Sequence, residues 1–543
     1  MRYSIWGSHT GPALLAAVVA SVTVAACSGG SSQGASGTVS APSSTVGAPP
    51  TPTPPPETGP SPTPTPTRTY PLSSAPLTVP AVASHEPARG PGWRPAPSAG
   101  VVVAKGSERL ADEGRLLAGE LRIPYRGVAA VRSGDVELAL GGKGAAESYT
   151  LTTRDNRVRI TGPDEAGVFY GTRTLKQSVK GSGAMPEGVV NDRPAKPQRG
   201  LSLDTARKNF DAGWIEDRIR EMGDLKLNQL GLHFSDDQGF RIASDTHPEI
   251  VSAEHLTKAE VRRIIALAAS RHITVVPEID SPGHLGAVLR AHPDLQLRNV
   301  QGTPREGAID ISKPGAAAIV DDLLREYSAL FPGRWFHVGA DEYQALTVSD
   351  PAASYPQLAT AAREKYGARA GVQDLAEGWL NDRAAVVRAA GKTAKAWNDG
   401  FFRGGIVHAD KNIEVEYWTG KEIGARPPAE YLSEGRPVVN LNDEFLYYVL
   451  GEPNDFTYPT GERIYEQWTP RVLRGTTAVP ERYDSQILGG LFAVWCDLAG
   501  AQTQAQVADG IRMPLTATAQ KLWDERAPTM SWERFRALAA EVR

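Results

Sequence analysis

Two adjacent carboxylates, Asp341 and Glu342, follow the apolar run Trp335-Phe336-His337-Val338-Gly339-Ala340. Acids side by side at the end of a strand repel each other and make poor core material. They are useful where one must stay protonated while its neighbour is ionised, because charge and burial drive their pKa values apart. Cleavage of a glycosidic bond makes that demand. An exposed acidic turn would explain these residues equally well, so the rest of the chain has to decide.

Residues of the same character gather at the ends of other strand-like runs: Asp204 with Arg207; His233, Asp236 and Asp237; Glu278, Asp280 and His284; Trp397 and Asp399; Trp418; Asn440 through Tyr447; and Trp495 with Asp497. Acids, an arginine, histidines and tryptophans around one mouth suit a sugar. Aromatic faces cover the apolar face of a pyranose while charged groups take its hydroxyls. A lone tryptophan ordinarily packs a core, and it is the neighbouring acids that set Trp397, Trp418 and Trp495 apart. A hydrolytic metal site at His233, Asp236, Asp237 and His284 would lack the helical His-Glu-x-x-His and the Cys-x-x-Cys spacings, so no metal and no other cofactor is expected. A Ser-His-Asp hydrolase would need a Gly-x-Ser-x-Gly elbow between a strand and a helix, and none of the strand-like runs leads into one.

Something must hold these residues around one opening. Strand-like runs occur at Leu201–Leu203, Gln229–Phe234, Thr274–Ile279, Trp335–Val338, Thr393–Trp397, Glu414–Trp418, Val438–Asn440 and Gly490–Trp495. Helical patterns lie between several of them, clearest at Trp214–Leu225, Lys258–Ser270, Gly315–Leu330 and Leu375–Ala390. The alternation predicts a (β/α)8 TIM barrel over 197–543, with its chemistry at the C-terminal strand ends. A doubly wound α/β sheet would show a glycine-rich phosphate turn, and Gly142-Lys143-Gly144 is too weak to count. Before the barrel, 99–196 reads as a small α+β domain. It has a helix from Glu108 to Leu121, a hairpin turning at Asp155-Asn156, and a helix capped by Asp164. It holds no cluster of catalytic residue types, which makes its expected role structural.

The 543 residues are 41% hydrophobic with a net charge of -4, which suits globular cores and gives no electrostatic reason to expect a nucleic acid partner. Residues 1–26 read as a signal peptide, with Arg2 ahead of a short apolar stretch from Ala13 to Ala26. The ending Val24-Ala25-Ala26-Cys27 resembles a bacterial lipobox with Cys27 as the lipidated residue; an ordinary signal peptide with an incidental cysteine is the alternative. Lipidation would place the protein outside the cytoplasm, on the outer face of the cell membrane by its anchor alone; otherwise it would be secreted. It would also leave Cys496 without a disulfide partner. Residues 27–98 are rich first in Ser/Gly and then in Pro/Thr, and read as a disordered tether, extended in its proline-rich half.

Taken in order, several motifs resemble the family 20 glycoside hydrolases, the β-N-acetylhexosaminidases. They begin with Gly167-Val168-Phe169-Tyr170-Gly171 and Arg199-Gly200-Leu201-Ser202-Leu203-Asp204-Thr205-Ala206-Arg207. His233-Phe234-Ser235-Asp236-Asp237-Gln238-Gly239, Val276-Pro277-Glu278-Ile279-Asp280-Ser281-Pro282-Gly283-His284 and His337-Val338-Gly339-Ala340-Asp341-Glu342 follow. The resemblance implies that Glu342 is the general acid and then the base. Asp341 would orient the substrate's own 2-acetamido group, whose oxygen attacks C1 to give an oxazolinium intermediate. It further implies that Arg207 binds ring hydroxyls, that Trp397, Trp418 and Trp495 enclose the sugar, and that Tyr447 donates to the acetamido oxygen. Asp236 and His284 would tune Glu342, and Asp399 and Asp497 would complete the substrate-binding set.

Three positions depart from the family pattern: Asn398-Asp399 where Asp-Glu is usual, Asp497 where a glutamate is expected, and Val449 where an acid is common. The run Trp397-Asn398-Asp399-Gly400, with Glu416-Tyr417-Trp418 and Leu446-Tyr447-Tyr448-Val449, lies nearer the dispersin-like and lacto-N-biosidase-like branches. The expected partner is therefore an oligo- or polysaccharide containing N-acetylhexosamine. Release of a terminal GlcNAc or GalNAc competes with poly-β-1,6-GlcNAc hydrolysis, with disaccharide release, and with a non-catalytic sugar-binding lipoprotein.

Overall fold

The computed structural model describes residues 69–421, 426–452 and 456–543. The signal peptide, Cys27 and most of the expected tether lie outside the described residues. None of the helices among the described residues is long and apolar enough to cross a membrane.

The small domain starts earlier than expected. Ser84–Pro87 is a strand pairing antiparallel to Gly188–Asp192, at one edge of a seven-stranded mixed sheet. Val79 and Trp93 are buried. The Val79 backbone donates to Gln177 at 2.7 Å, and the Trp93 indole donates to the Gly134 carbonyl at 2.8 Å. The assignment of 69–98 to the tether is therefore corrected. Its prolines mask a few well-spaced apolar residues that dock onto the domain. The hairpin turn is as expected, with Asp155 and Asn156 both at positive φ, the geometry of a two-residue type I′ connection. Asp164 caps the helix Glu165–Ser182 by accepting from the Gly167 N–H.

All eight predicted barrel strands are present: Gln198–Asp204, Gln229–His233, Thr274–Glu278, Trp335–His337, Thr393–Trp397, Glu414–Tyr417, Val438–Asn440 and Ile487–Trp495. They pair in parallel, and the eighth closes on both the first and the seventh. An unpredicted short strand, Tyr447–Val449, pairs with Ala493–Trp495 after the seventh strand has ended. The long eighth strand thus has one partner low in the barrel and another at the mouth. This brings Tyr447 and Val449 to the rim beside Trp495.

The opposite end of the barrel sits on the small domain. Arg199 pairs with Glu147 at 2.7 Å, and its guanidinium lies over the rings of Tyr170 and Trp523. Lys226 Nζ lies 3.1 Å from Asp192 and 4.3 Å from the centre of the Trp523 ring, while the Trp523 indole donates to Asp192 at 3.0 Å. Both members of the Lys226–Asp192 pair have fully buried side chains. Arg199 and Lys226 therefore hold the domains together and take no part in the chemistry. Lys226→Met, which strands the Asp192 carboxylate, should destabilise the fold by about 3–5 kcal/mol. Lys226→Met combined with Asp192→Asn should recover most of that loss. Denaturant midpoints of the two variants check this; equal losses in both would contradict it.

Candidate active site at the barrel mouth

The turn after the fourth strand is unusual in its backbone. Gly339, Ala340 and Glu342 all have positive φ, a conformation costly for residues with a Cβ. A Cβ at Gly339 would fall within 2.5 Å of the Asp280 backbone, so glycine is required there. The strained turn is pinned from both sides. The Ala340 N–H donates to Asp280 Oδ1 at 3.1 Å, and the Trp397 N–H donates to the Gly339 carbonyl at 2.9 Å. Its effect is to place Asp341 and Glu342 on the same histidine. His284 Nε2 lies 3.6 Å from Asp341 Oδ2 and 3.4 Å from Glu342 Oε2.

Behind His284 runs a chain of buried charges. His284 Nδ1 donates to Asp236 Oδ1 at 3.3 Å, and the other Asp236 oxygen takes His233 Nε2 at 2.7 Å and Arg207 Nη2 at 2.8 Å. His233 Nδ1 lies 3.2 Å from Glu278 Oε1, which also accepts from the Trp397 indole at 2.8 Å. Burial disfavours every one of these charges, yet pairing prevails at four of them. Asp236 is held well below the carboxylate range by His284, His233 and Arg207. Glu278 falls to about 2 through His337 and His233, and His233 rises to about 10 through Glu278 and Asp236. His284 is pushed well above the histidine range by Asp236, Asp341 and Asp280. Glu342, 3.4 Å from His284 Nε2, is lowered by it, so the open site holds the proton on the histidine side of that pair.

Asp341 behaves in the opposite way. Burial and the neighbouring Asp280 carboxylate raise it well above the usual range, and burial lifts Asp280 to about 7. Asp280 Oδ2 and Asp341 Oδ1 are both buried without a hydrogen-bond partner among the described residues. A carboxyl pair that keeps one proton leaves neither atom as a stranded charge.

The cavity in front of these acids measures about 340 Å³, at the small end for ligand sites. Arg207, His284, Asp341, Glu342, Trp397, Trp418, Tyr447, Trp495 and Asp497 line it. Trp418 and Tyr447 are parallel, 2° apart in plane with ring centres 5.8 Å apart, and form one wall. The Tyr447 phenol is kept protonated by burial and by Asp443 and Asp341, so it remains a donor. The Trp495 N–H is buried without a protein acceptor among the described residues.

Asp236, expected to tune Glu342 and grouped with the substrate-binding residues, and Asp399, expected to bind substrate, do not line the cavity. Asp236 lies behind His284, as just described. Asp399 accepts from the Trp418 indole at 2.9 Å and from the Glu342 N–H at 3.0 Å, so it fixes one wall and the backbone of the acid. Both are corrected to positioning residues, because their oxygens are already committed to protein donors. Lys421 and Phe456 also line the cavity and were not anticipated. Each is a single side chain in an irregular segment, with no spacing to mark it. A larger cavity of about 570 Å³ lies elsewhere, beside Val79, Leu225, Met513 and Val542. Among the described residues lining it there is neither an aromatic ring nor a histidine, and it is not a rival site.

Comparison with known proteins agrees with this geometry. Residues 197–526 match the family model described as glycosyl hydrolase family 20, catalytic domain, and 75–193 match family 20, domain 2. A lacto-N-biosidase of Bifidobacterium bifidum is 29% identical over 409 residues, covering 74% of this chain and 36% of that protein. A β-hexosaminidase of Vibrio furnissii is 27% identical over 428 residues, covering 70% of this chain and 66% of the relative. The chain thus spans about a third of the first relative and just under two thirds of the second. Among solved structures, the family 20 β-N-acetylhexosaminidase of Streptomyces coelicolor A3(2) superposes with a TM-score of 0.68 at 25% identity, covering 87% of this chain and 95% of that one.

Proposed function

This chain belongs to glycosyl hydrolase family 20, and we propose that it is a retaining β-N-acetylhexosaminidase that removes terminal β-linked GlcNAc or GalNAc from glycans. The observation that carries this reading is the convergence of Asp341 and Glu342 on one imidazole nitrogen. Two-carboxylate glycosidases set their acids on opposite faces of the sugar. Acids on the same side leave the nucleophile to be supplied by the substrate, and a 2-acetamido group can supply it.

In the first step Glu342 gives its proton to the glycosidic oxygen and the C1–O bond breaks. The acetamido oxygen bonds to C1, forming an oxazolinium ion. Covering the mouth removes water from Glu342, whose side chain is 43% exposed in the open site. This raises its pKa and draws the shared proton over from His284. As positive charge builds on the acetamido nitrogen, the dyad proton settles on Asp280 and leaves Asp341 anionic to hold the N–H. In the second step Glu342 takes a proton from water, the water oxygen bonds to C1, and the acetamide is restored with the β configuration retained. Arg207, held by Asp204 and Asp236, offers its remaining donors to ring hydroxyls.

Chromogenic β-GlcNAc and β-GalNAc glycosides test this reading. Hydrolysis should be blocked by a thiazoline mimic of the intermediate, and failure to cleave any β-N-acetylhexosaminide would leave only a sugar-binding role. Release of a disaccharide is the second reading, favoured by Val449 and Asp497 at the rim and by the similarity to a lacto-N-biosidase. Mass sizing of products from a lacto-N-biose glycoside and from poly-β-1,6-GlcNAc separates the two. For location, the run Ala25-Ala26-Cys27 before a Ser/Gly-rich stretch supports a lipid anchor outside the cytoplasm. Cys27→Ser should shift the protein from the membrane fraction to the medium.

A further inference from the structure

A second cluster of metal-binding side chains lies outside the catalytic cavity. His247 and Glu249 flank the start of the short turn Pro248–Ile250 in the segment after the second barrel strand, and His292 follows the helix Gly286–Ala291 after the third. His292 Nε2 is 2.9 Å and His247 Nδ1 3.1 Å from the same oxygen, Glu249 Oε1. The donor atoms of the three residues lie within 4.8 Å of one another. The two imidazoles are nearly perpendicular, at 86°. The other nitrogen of His247, Nε2, is buried, makes no hydrogen bond among the described residues, and lies 3.6 Å from Asp322 Oδ2.

That arrangement has a charge problem. A neutral imidazole has one N–H, and His247 stands between two carboxylates. If Nδ1 carries the proton, the Nε2 lone pair faces Asp322; if Nε2 carries it, the Nδ1 lone pair faces Glu249. A cation between Nδ1, Glu249 Oε1 and His292 Nε2 resolves this, since lone pairs are then what the site needs. Zinc bound to nitrogen and oxygen at 2.0–2.2 Å in a tetrahedron sets neighbouring donors about 3.3 Å apart. The two separations from Glu249 Oε1 are already close to that. Asp322 would then accept from Nε2–H, the outer carboxylate that usually orients a ligating histidine. Two imidazoles and one carboxylate select zinc or another late first-row divalent ion over magnesium or calcium.

We propose that His247, Glu249 and His292 form a zinc site on the protein surface, oriented by Asp322, whose role is to clip together the segments that carry Asp236 and His284. Its place supports that role. Asp237, next to Asp236, accepts from the Gly286 N–H at 2.9 Å and through its carbonyl from Arg290 at 2.6 Å. A bound ion would add a further link at the far end of the same helix. This inference does not depend on the substrate assignment.

The full chain, made without a histidine tag and stripped with a chelator, should bind one equivalent of Zn²⁺ by calorimetry. Its thermal midpoint should rise with Zn²⁺ and not with Mg²⁺, and Co²⁺ should give the strong visible bands of a tetrahedral site. His247→Ala with His292→Ala should abolish the equivalent and the thermal response. Should that variant misfold, Glu249→Gln, which keeps the shape and the hydrogen-bonding oxygen, should abolish them too. Asp322→Asn should weaken binding about 10–100-fold. Absence of stoichiometric binding, or binding that survives in Glu249→Gln, would overturn the site. So would a stripped protein stabilised by acid alone and indifferent to Zn²⁺, since a proton would then be the missing cation.

Discussion

Glu342→Gln should lower kcat/KM for an aryl β-N-acetylglucosaminide by about 10²–10⁴, the usual contribution of a general acid–base group, or roughly 3–5 kcal/mol of barrier. The size of the loss should depend on the leaving group. A nitrophenolate leaves with little help, whereas a sugar alkoxide needs its proton in the transition state, so natural glycans should suffer most. The pH profile gives a second check. In the wild type the proton belongs to the His284–Glu342 pair, and Asp236, Asp341 and Asp280 overcome burial to hold His284 above the usual histidine range. The alkaline limb of kcat/KM should therefore lie above that range, and it should vanish from the residual activity of Glu342→Gln. Turnover of a disaccharide equal to wild type would remove Glu342 from the mechanism.

Asp341→Ala should cost about 10³-fold in kcat, the size of loss seen when one preorganised group that meets transition-state charge is removed. The acetamido group would still enter between Trp397, Trp418 and Trp495, so KM should change little. Affinity for the thiazoline should fall in step with kcat, because that inhibitor carries the charge Asp341 is placed to meet. Combining Asp341→Ala with Glu342→Gln should lose far less than the product of the single losses, as groups serving one step are not additive. A large rise in KM with kcat unchanged would make Asp341 a binding residue only.

The barrel was legible because its buried parallel strands are short apolar runs ending in acids or aromatics, as Thr274–Glu278 and Thr393–Trp397 do. The strand Tyr447–Val449 could not be read that way. Three residues after an irregular stretch carry no period, and only the overhang of the eighth strand gives them a partner. The cavity-lining acids were visible as unusual strand ends, but residue type alone could not separate a group that touches the sugar from one that holds its neighbour. Asp399 and Asp236 show the difference, since their partners decide their role. His247 and Glu249 share one segment while His292 lies in another, and no local pattern joins the three.

The clasp around Trp523 imposes an order on synthesis. Asp192 leaves the ribosome 331 residues before the tryptophan whose indole it accepts. The small domain has all its own strands by then and can fold as a unit. Arg199 and Lys226, on the first turns of the barrel, can reach it next, but the patch they share stays open until the last long helix emerges. For most of translation the finished domain is a template with one vacant seat. The helix Gln504–Trp523 fills that seat, so the joint between the small domain and the barrel is completed only when nearly the whole chain has been made.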